Sequence, residues 1–236
     1  MNLKYKILAV LAAGIALTAC GGSGAPASAP ASSVVPASSH VAEEGVTEPI
    51  NLRTWTLDDL DDTQTTTFVS ASITSGVQNG KLTAKVFGYD IYKKEEIEKL
   101  AVGDKIAFHE EGAAQDQCVT TEVKSIERND QHHFVSINGG IEAGGVELTL
   151  DHDVYRTVTF DDYPVYYEMG EVTLPLAGGV TLSDSSADPQ ASAVETDGAD
   201  AVAEAVNAEP DGWMPNNTLV FTEDGTISSI VRIWVP

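Results

Sequence analysis

The segment TLVFTEDGTISSIVRIWV, residues 218–235, decides the fold class of this chain. Its two apolar runs, Thr218 to Thr222 and Ile227 to Val235, are rich in β-branched and aromatic residues, which favour strands. The Asp224-Gly225 pair between them is typical of a tight hairpin turn. Apolar residues fall on both sides of the second run: Ile230 and Trp234 on one side, and Val231, Ile233 and Val235 on the other. The segment therefore predicts a β-hairpin whose second strand lies centrally in a sheet.

The same strand composition recurs upstream in short runs that are separated by turn residues. Strands are predicted at residues 65–73, 82–92, 105–109, 119–127, 132–138, 146–150, 154–160 and 165–174. Turn residues such as Asn79-Gly80 lie between them, and one short helix is predicted over residues 93–100. Residues 49–236 are thus expected to form a single mainly β domain. We predict a small antiparallel β-barrel or sandwich with one short helix.

An acidic segment, residues 183–212, interrupts this pattern. It contains eight acidic residues and eight alanines in 30 positions, without an aromatic or a basic residue. Such a composition buries little apolar surface, so we expect a disordered, mobile insertion. Val202 and Val206 are spaced to share one face of a helix, which indicates a short helix around Ala199 to Ala208.

The amino terminus has the pattern of an export signal. Lys4 and Lys6 precede an uncharged stretch of 13 residues, Ile7 to Ala19, which is too short to span a bilayer as a helix. The stretch ends in Leu17-Thr18-Ala19-Cys20, which resembles the lipobox of bacterial lipoproteins. That resemblance implies that residues 1–19 are a cleaved signal peptide and that Cys20 carries diacylglycerol and a further acyl chain such as palmitate. It also implies a lipid-anchored, extracytoplasmic protein of the bacterial cell envelope.

Residues 20–48 are predicted to be a lipid anchor followed by a disordered linker. Gly, Ser, Ala and Pro supply 19 of the 28 positions from 21 to 48, and no aromatic residue is present. This composition cannot offset the entropy cost of ordering the chain. We expect the linker to lift the domain off the lipid surface.

The charge of the chain excludes one class of partner. Thirteen Lys and Arg stand against 36 Asp and Glu, for a net charge of −23, and residues 157–231 contain no Lys or Arg. Proteins that bind nucleic acid present basic surfaces, so no nucleic-acid partner is predicted. The expected partners are the membrane, through the lipid on Cys20, and a glycan or a protein.

Two groups of residues are candidates for binding. Asp151-His152-Asp153 would place two carboxylates on one side of an extended chain, which suits Ca²⁺; apart from this ion, no cofactor is predicted. Five aromatic residues, Tyr155, Phe160, Tyr163, Tyr166 and Tyr167, lie within 13 residues among acids. Aromatic rings beside carboxylates are typical of glycan-binding surfaces, and Tyr163, Tyr166 and Tyr167 are the predicted binding residues. Adjacent Tyr166 and Tyr167 should face opposite sides of a strand.

No catalytic residue is predicted, because the sequence shows no nucleophile elbow, phosphate loop or zinc-protease helix. His109-Glu110-Glu111 ends a predicted strand and is expected to be solvated. Our first hypothesis is a non-enzymatic envelope lipoprotein that binds a glycan, an envelope component or a protein. The alternatives are a hydrolase of envelope or environmental polymer that uses Asp151, Asp153, Asp161 and Asp162, and a spacer without a ligand.

Overall fold

The computed structural model describes residues 45–50, 57–60, 67–129, 131 and 133–236, so the predicted signal peptide, Cys20 and most of the predicted linker lie outside the described residues. The strands, in chain order, are β1 Val46–Thr47, β2 Thr67–Gln78, β3 Lys81–Tyr89, β4 Ile91–Lys93, β5 Lys105–Phe108, β6 Val119–Glu122, β7 Ile126–Asn129, β8 Phe134–Ile137, β9 Val146–Asp151, β10 Val154–Thr157, β11 Tyr166–Asp184, β12 Val194–Asp197, β13 Thr218–Glu223 and β14 Thr226–Arg232. The α-helices are α1 Lys94–Lys99 and α2 Ala199–Ala208. The predicted mainly β class is confirmed.

Five of these strands close a barrel, which is one of the two predicted architectures. β2 pairs with β3, β3 with β11, β11 with β14, β14 with β13, and β13 with β2. β11 has 19 residues, which lets its first half pair with β3 and its second half with β14. The β11–β14 pair is parallel, and the other four pairs are antiparallel. This strand order, with α2 between the third and fourth barrel strands, is the connectivity of the OB fold.

Two predicted hairpin turns build the barrel. Asn79 and Gly80 join β2 to β3, and Asp224 and Gly225 join β13 to β14. All four residues have positive φ, between 51° and 73°. Asn, Asp and Gly tolerate this conformation, and a two-residue loop with positive φ at both positions matches the right-handed twist of the flanking strands.

The acidic segment 183–212 packs on the barrel, so the expectation of a disordered insertion is not what the structure describes. β12 pairs with β11, and α2 begins and ends at the predicted residues. Val202 and Val206 are fully buried in the barrel core. The acids remain at the surface, and the two valines are enough to dock the helix because they share one face.

Arg232 ties the end of this segment to the barrel. Its Nη1 atom donates to Glu209 Oε2 at 2.6 Å, and its guanidinium lies 4.4 Å from the ring centroid of the buried Trp213. Arg232 also ends β14, earlier than the predicted Val235. β14 is central, as predicted, but Ile233 and Trp234 follow it and remain 44% and 40% exposed.

Residues 90–165 form an insert between the second and third barrel strands. The insert contains a five-stranded sheet in the order β4-β10-β9-β8-β7, and β5 and β6, which form a further sheet together with β1. A second hydrophobic core, built around Tyr92, Ile97, Ile137 and Leu148, lies within it. Val46 and Thr47 pair with Lys105 and Ile106, so ordered structure begins before the predicted domain boundary at residue 49.

The remaining predictions differ from the structure mainly at strand ends. The predicted strand 119–127 is divided into β6 and β7, and the predicted strand 82–92 into β3 and β4. The predicted helix 93–100 is α1, with Ile97 and Leu100 buried as expected. Among the described residues, no helix combines the length and the apolar character needed to cross a membrane.

Candidate functional site

The tyrosine patch, which we define as Tyr89, Tyr163 and Tyr166, lies where the barrel meets the insert. Tyr89 and Tyr166 are direct cross-strand partners at the ends of β3 and β11. Their rings meet edge to face, with centroids 5.9 Å apart and planes at 89°. All three side chains are half-buried. The patch therefore presents fixed aromatic surface and hydroxyl groups, an arrangement that suits an amphipathic ligand.

Arg156 of β10 supplies the charge beside the patch. Its Nη2 atom donates to the Asp162 carbonyl at 3.0 Å and to Asp162 Oδ1 at 3.2 Å, and its Nε atom lies 3.7 Å from Asp151 Oδ2. The Arg156 side chain is 14% exposed, while the side chains of Asp151 and Asp162 are 49% and 76% exposed. One guanidinium thus fixes two carboxylates at the edge of the patch.

Two hydroxyl groups of the patch, those of Tyr89 and Tyr166, are neutral. Burial raises the pKa of Tyr89 above its ordinary value, and the nearby Asp151 carboxylate raises it further, against a smaller opposite effect of Arg156. Burial also raises the pKa of Tyr166, although a hydrogen bond with Ser70 acts in the other direction. Both side chains therefore keep their O–H proton at neutral pH.

The predicted binding residues do not all lie on the same side of the chain. Tyr166 faces outward in the tyrosine patch, and Tyr163 lies beside it. Tyr167 is only 1% exposed and belongs to the barrel core, so it is removed from the predicted binding residues. The prediction that Tyr166 and Tyr167 face opposite sides is confirmed. Tyr155 is also buried, and Phe160 is 67% exposed.

The prediction that Asp151 and Asp153 lie on one side of an extended chain, where they could bind calcium, is wrong. Val154 is the partner of Asp151 across β9 and β10, so His152 and Asp153 form a two-residue hairpin turn rather than an extended chain. His152 has φ 58°, which confirms the turn. Asp151 Oδ1 lies 2.7 Å from His152 Nδ1, and Asp151 also faces Arg156. Among the described residues, no three His, Cys, Asp or Glu side chains converge as a metal site would require.

Cys118 is a free thiol in the described residues. Burial, followed by the charges of Asp90 and Glu48, raises its pKa to about 12. Since the thiolate and not the thiol is the nucleophile, this side chain has little reactivity at neutral pH.

Sequence reasoning missed three residues, Tyr89, Asp90 and Arg156, and it assigned His109 to the wrong environment. His109 is 2% exposed and pairs with the buried Asp90, so the expectation that it is solvated is wrong. This pair joins residues 19 positions apart, and no local sequence pattern predicts it. Arg156 did leave a signal, because it is the one Lys or Arg among the acids from 151 to 162.

No family model, curated protein or solved structure matches this chain.

Proposed function

We propose that this chain is a lipid-anchored protein of the bacterial envelope whose β-barrel domain binds an uncharged oligosaccharide at the tyrosine patch. The observation that carries the proposal is the edge-to-face pair of Tyr89 and Tyr166, with Arg156 and two carboxylates beside it. Aromatic rings pack against the apolar faces of sugars. Neutral tyrosine hydroxyls donate to sugar oxygens, and carboxylates accept hydroxyl protons.

The position of the patch on the barrel supports a saccharide ligand. β3 and β11 are the second and third strands of the OB connectivity, and their outer face is one that OB folds use for oligonucleotides and oligosaccharides. Fold analogy by itself assigns no ligand. A net charge of −23 disfavours a polyanion, however, which leaves the saccharide as the better match.

The structure gives the hydrolase alternative less support than the binding function. A glycosidase needs two carboxyl groups that flank the scissile bond within a cleft. Asp153 lies in a hairpin turn, and Asp161 and Asp162 lie in the exposed loop between β10 and β11. Asp151 and Asp162 both contact Arg156, which places a cation between them. The four acids are thus arranged at a surface, where a bound polymer would remain open to solvent.

The anchoring part of the proposal rests on Leu17-Thr18-Ala19-Cys20 and the uncharged segment before it. Cys20→Ala should abolish labelling by radioactive fatty acid and release the protein from the membrane fraction or stall its precursor. Cys118→Ala is the matched control, because it removes the other cysteine and should leave labelling unchanged. Equal labelling of wild type and Cys20→Ala would reject the anchor.

The binding part is tested by calorimetric titration of the full chain in detergent. The probes are hexasaccharides of a neutral hexose and of an N-acetylhexosamine, with a uronic acid hexasaccharide as the charged comparison. We expect a neutral probe to bind, and Tyr166→Ala to weaken its binding by about tenfold, or about 1.4 kcal/mol. Trp234→Ala is the control, because Trp234 is exposed but lies outside the patch.

Two results would reject a saccharide site at the patch. The first is that neither neutral probe binds, in which case the spacer without a ligand becomes the better hypothesis. The second is that a probe binds with the same affinity to wild type and to Tyr166→Ala. Release of shorter sugars from a neutral probe would favour the hydrolase.

A further inference from the structure

A buried Asp90–His109 pair adjoins the strand ends that carry the tyrosine patch, and its imidazole stacks on Tyr167, the neighbour of Tyr166 in β11. Asp90 follows Tyr89 at the end of β3, and His109 follows β5 in the insert. The Asp90 Oδ2 atom accepts from the His109 backbone N–H at 2.6 Å, and Asp90 Oδ1 lies 2.9 Å from His109 Nδ1. Both side chains are 1% exposed. The carboxylate therefore fixes both the backbone and the ring of His109.

Both ring nitrogens of His109 face acceptor oxygens. Nδ1 faces Asp90, and Nε2 lies 3.0 Å from the carbonyl oxygen of Gln115. A neutral imidazole has one N–H, so it can donate to only one of these oxygens, and its other nitrogen would face the second oxygen with a lone pair. The imidazolium donates to both. The geometry thus fits the charged form of His109, with Asp90 as its counter-ion.

Among the groups around His109, the imidazole of His109 is the one that titrates near neutral pH. The Tyr167 ring from β11 stacks on the imidazole. Tyr92 of β4 donates its hydroxyl to the Ala107 carbonyl at 2.8 Å, and burial with the charge of Asp90 raises its pKa well above 10. Cys118, before β6, has a pKa raised to about 12, by burial first and then by Asp90 and by Glu48 near β1. Tyr92 and Cys118 therefore stay neutral at physiological pH.

The Gln115 carbonyl belongs to a loop, residues 110–117, that pairs with the start of β11. The Gly112 N–H donates to the Tyr166 carbonyl at 2.8 Å, and the Gln115 N–H donates to the Glu168 carbonyl at 2.9 Å. In return, the Glu168 N–H donates to the Ala113 carbonyl at 2.7 Å. The loop is thus bonded to His109 on one side and to the backbone of Tyr166 on the other.

We propose that Asp90 and His109 are positioning residues, which hold loop 110–117 against β11 while His109 is charged and loosen it when His109 loses its proton. One consequence of this proposal rests on the proposed function: the tyrosine patch should bind its saccharide less well when the loop loosens. Its other consequence, the state of the loop itself, needs no ligand.

The direction of the pH effect follows from the surroundings of His109. Burial alone would lower the pKa of His109, but the hydrogen bond and the charge of Asp90, together with the Gln115 carbonyl, outweigh it and raise the pKa above 6.5. The proton that a neutral His109 keeps stays on Nδ1, because Nδ1 faces the Asp90 carboxylate. The contact of Nε2 with Gln115 is therefore complete below pH 6.5 and is lost as the pH rises through the raised pKa. The loop should be tightest in mildly acidic surroundings.

The test combines an NMR titration of the histidine rings with amide hydrogen exchange of the full chain between pH 5.5 and 9. We expect protection of the Gly112, Gln115 and Glu168 amides, corrected for intrinsic exchange, to fall at least tenfold with the midpoint of His109. Asp90→Asn should lower that midpoint. His109→Gln should make the protection independent of pH. His133→Asn, which removes an exposed histidine, should leave it unchanged.

Constant protection across the titration of His109, or a His109 midpoint below 6.5, would overturn the proposal. If a variant does not fold, the amide protection of the wild type across the titration of His109 still tests the proposal. The neutral hexasaccharides are titrated at the two ends of the pH range. No binding at either pH rejects the proposed function but not the positioning role. If a hexasaccharide binds with equal affinity at both ends of the pH range while the loop loosens, the state of the loop does not affect binding at the tyrosine patch.

Discussion

The Tyr167 ring stacks on the imidazole of His109, with ring centroids 3.9 Å apart and planes inclined by 24°. Tyr167 belongs to the barrel core, and His109 to the insert. The Tyr167 ring also lies close to Gly88, where an added Cβ atom would be 2.6 Å from Tyr167 Cζ. The ring therefore contacts both the barrel backbone and the insert, and it links the two parts.

Gly88→Ala should destabilise the domain, because the new methyl group must displace a rigid aromatic ring. Overpacking of this kind costs about 1–3 kcal/mol. The free energy of unfolding from urea denaturation measures the change. Gly178→Ala is the control, since nothing lies within 4 Å of a Cβ atom at that position. Equal stability of the two variants would show that Tyr167 moves aside without cost.

The stability of the domain should depend on the protonation of His109. The pKa of His109 is raised above 6.5 in the folded state, so its contribution is fully present below pH 6.5 and is lost as the pH rises through the raised pKa. The difference in unfolding free energy between wild type and His109→Gln should therefore shrink from pH 6 towards pH 9. A difference that is constant over this range would contradict the charged imidazolium, and His133→Asn serves as the control.

Val206→Ala should destabilise the barrel although Val206 lies in the acidic segment 183–212. Its side chain is fully buried, and loss of a buried valine side chain costs about 2 kcal/mol. Glu204→Ala on the exposed face of α2 should have little effect on the melting temperature. If both variants melted with the wild type, α2 would not contribute to the folded barrel.

Cys118 should react slowly with iodoacetamide in the folded protein. With a pKa of about 12, only about one thiol in 10⁴ is ionised at pH 8. Mass spectrometry of the Cys20→Ala chain would follow the modification of Cys118 alone. Unfolding in urea should restore ordinary reactivity, and rapid modification in buffer would show that the thiol is neither buried nor close to the Asp90 charge.

Local chemistry explains which parts of the fold could be predicted. The turns at Asn79-Gly80 and Asp224-Gly225 were predicted because both residues of each pair tolerate positive φ. The spacing of Val202 and Val206 gave the bounds of α2, but composition favoured a loop, because the average over the segment hides two residues that share one face.

The closure of the barrel could not be predicted from local patterns. The parallel pairing of β11 with β14 joins residues about 50 positions apart, and no turn residue specifies such a pairing. The same holds for Asp90 and His109, which become partners only when the insert folds back on the end of β3. Of the candidate site, the sequence indicated Tyr163 and Tyr166 through composition. Tyr89 and Arg156 come to the patch from other strands.

The position of the insert between the second and third barrel strands governs the order in which the chain can fold. β7, β8, β9 and β10 pair with their neighbours in sequence, so they can form as soon as they are made. β2 must instead pair with β13, about 150 residues further along the chain, and this long-range pairing, which closes the barrel, is slow. We expect refolding in two phases, with the insert first and the barrel last. The tyrosine patch, whose Tyr89 and Tyr166 lie on the barrel strands β3 and β11, would then appear only in the second phase.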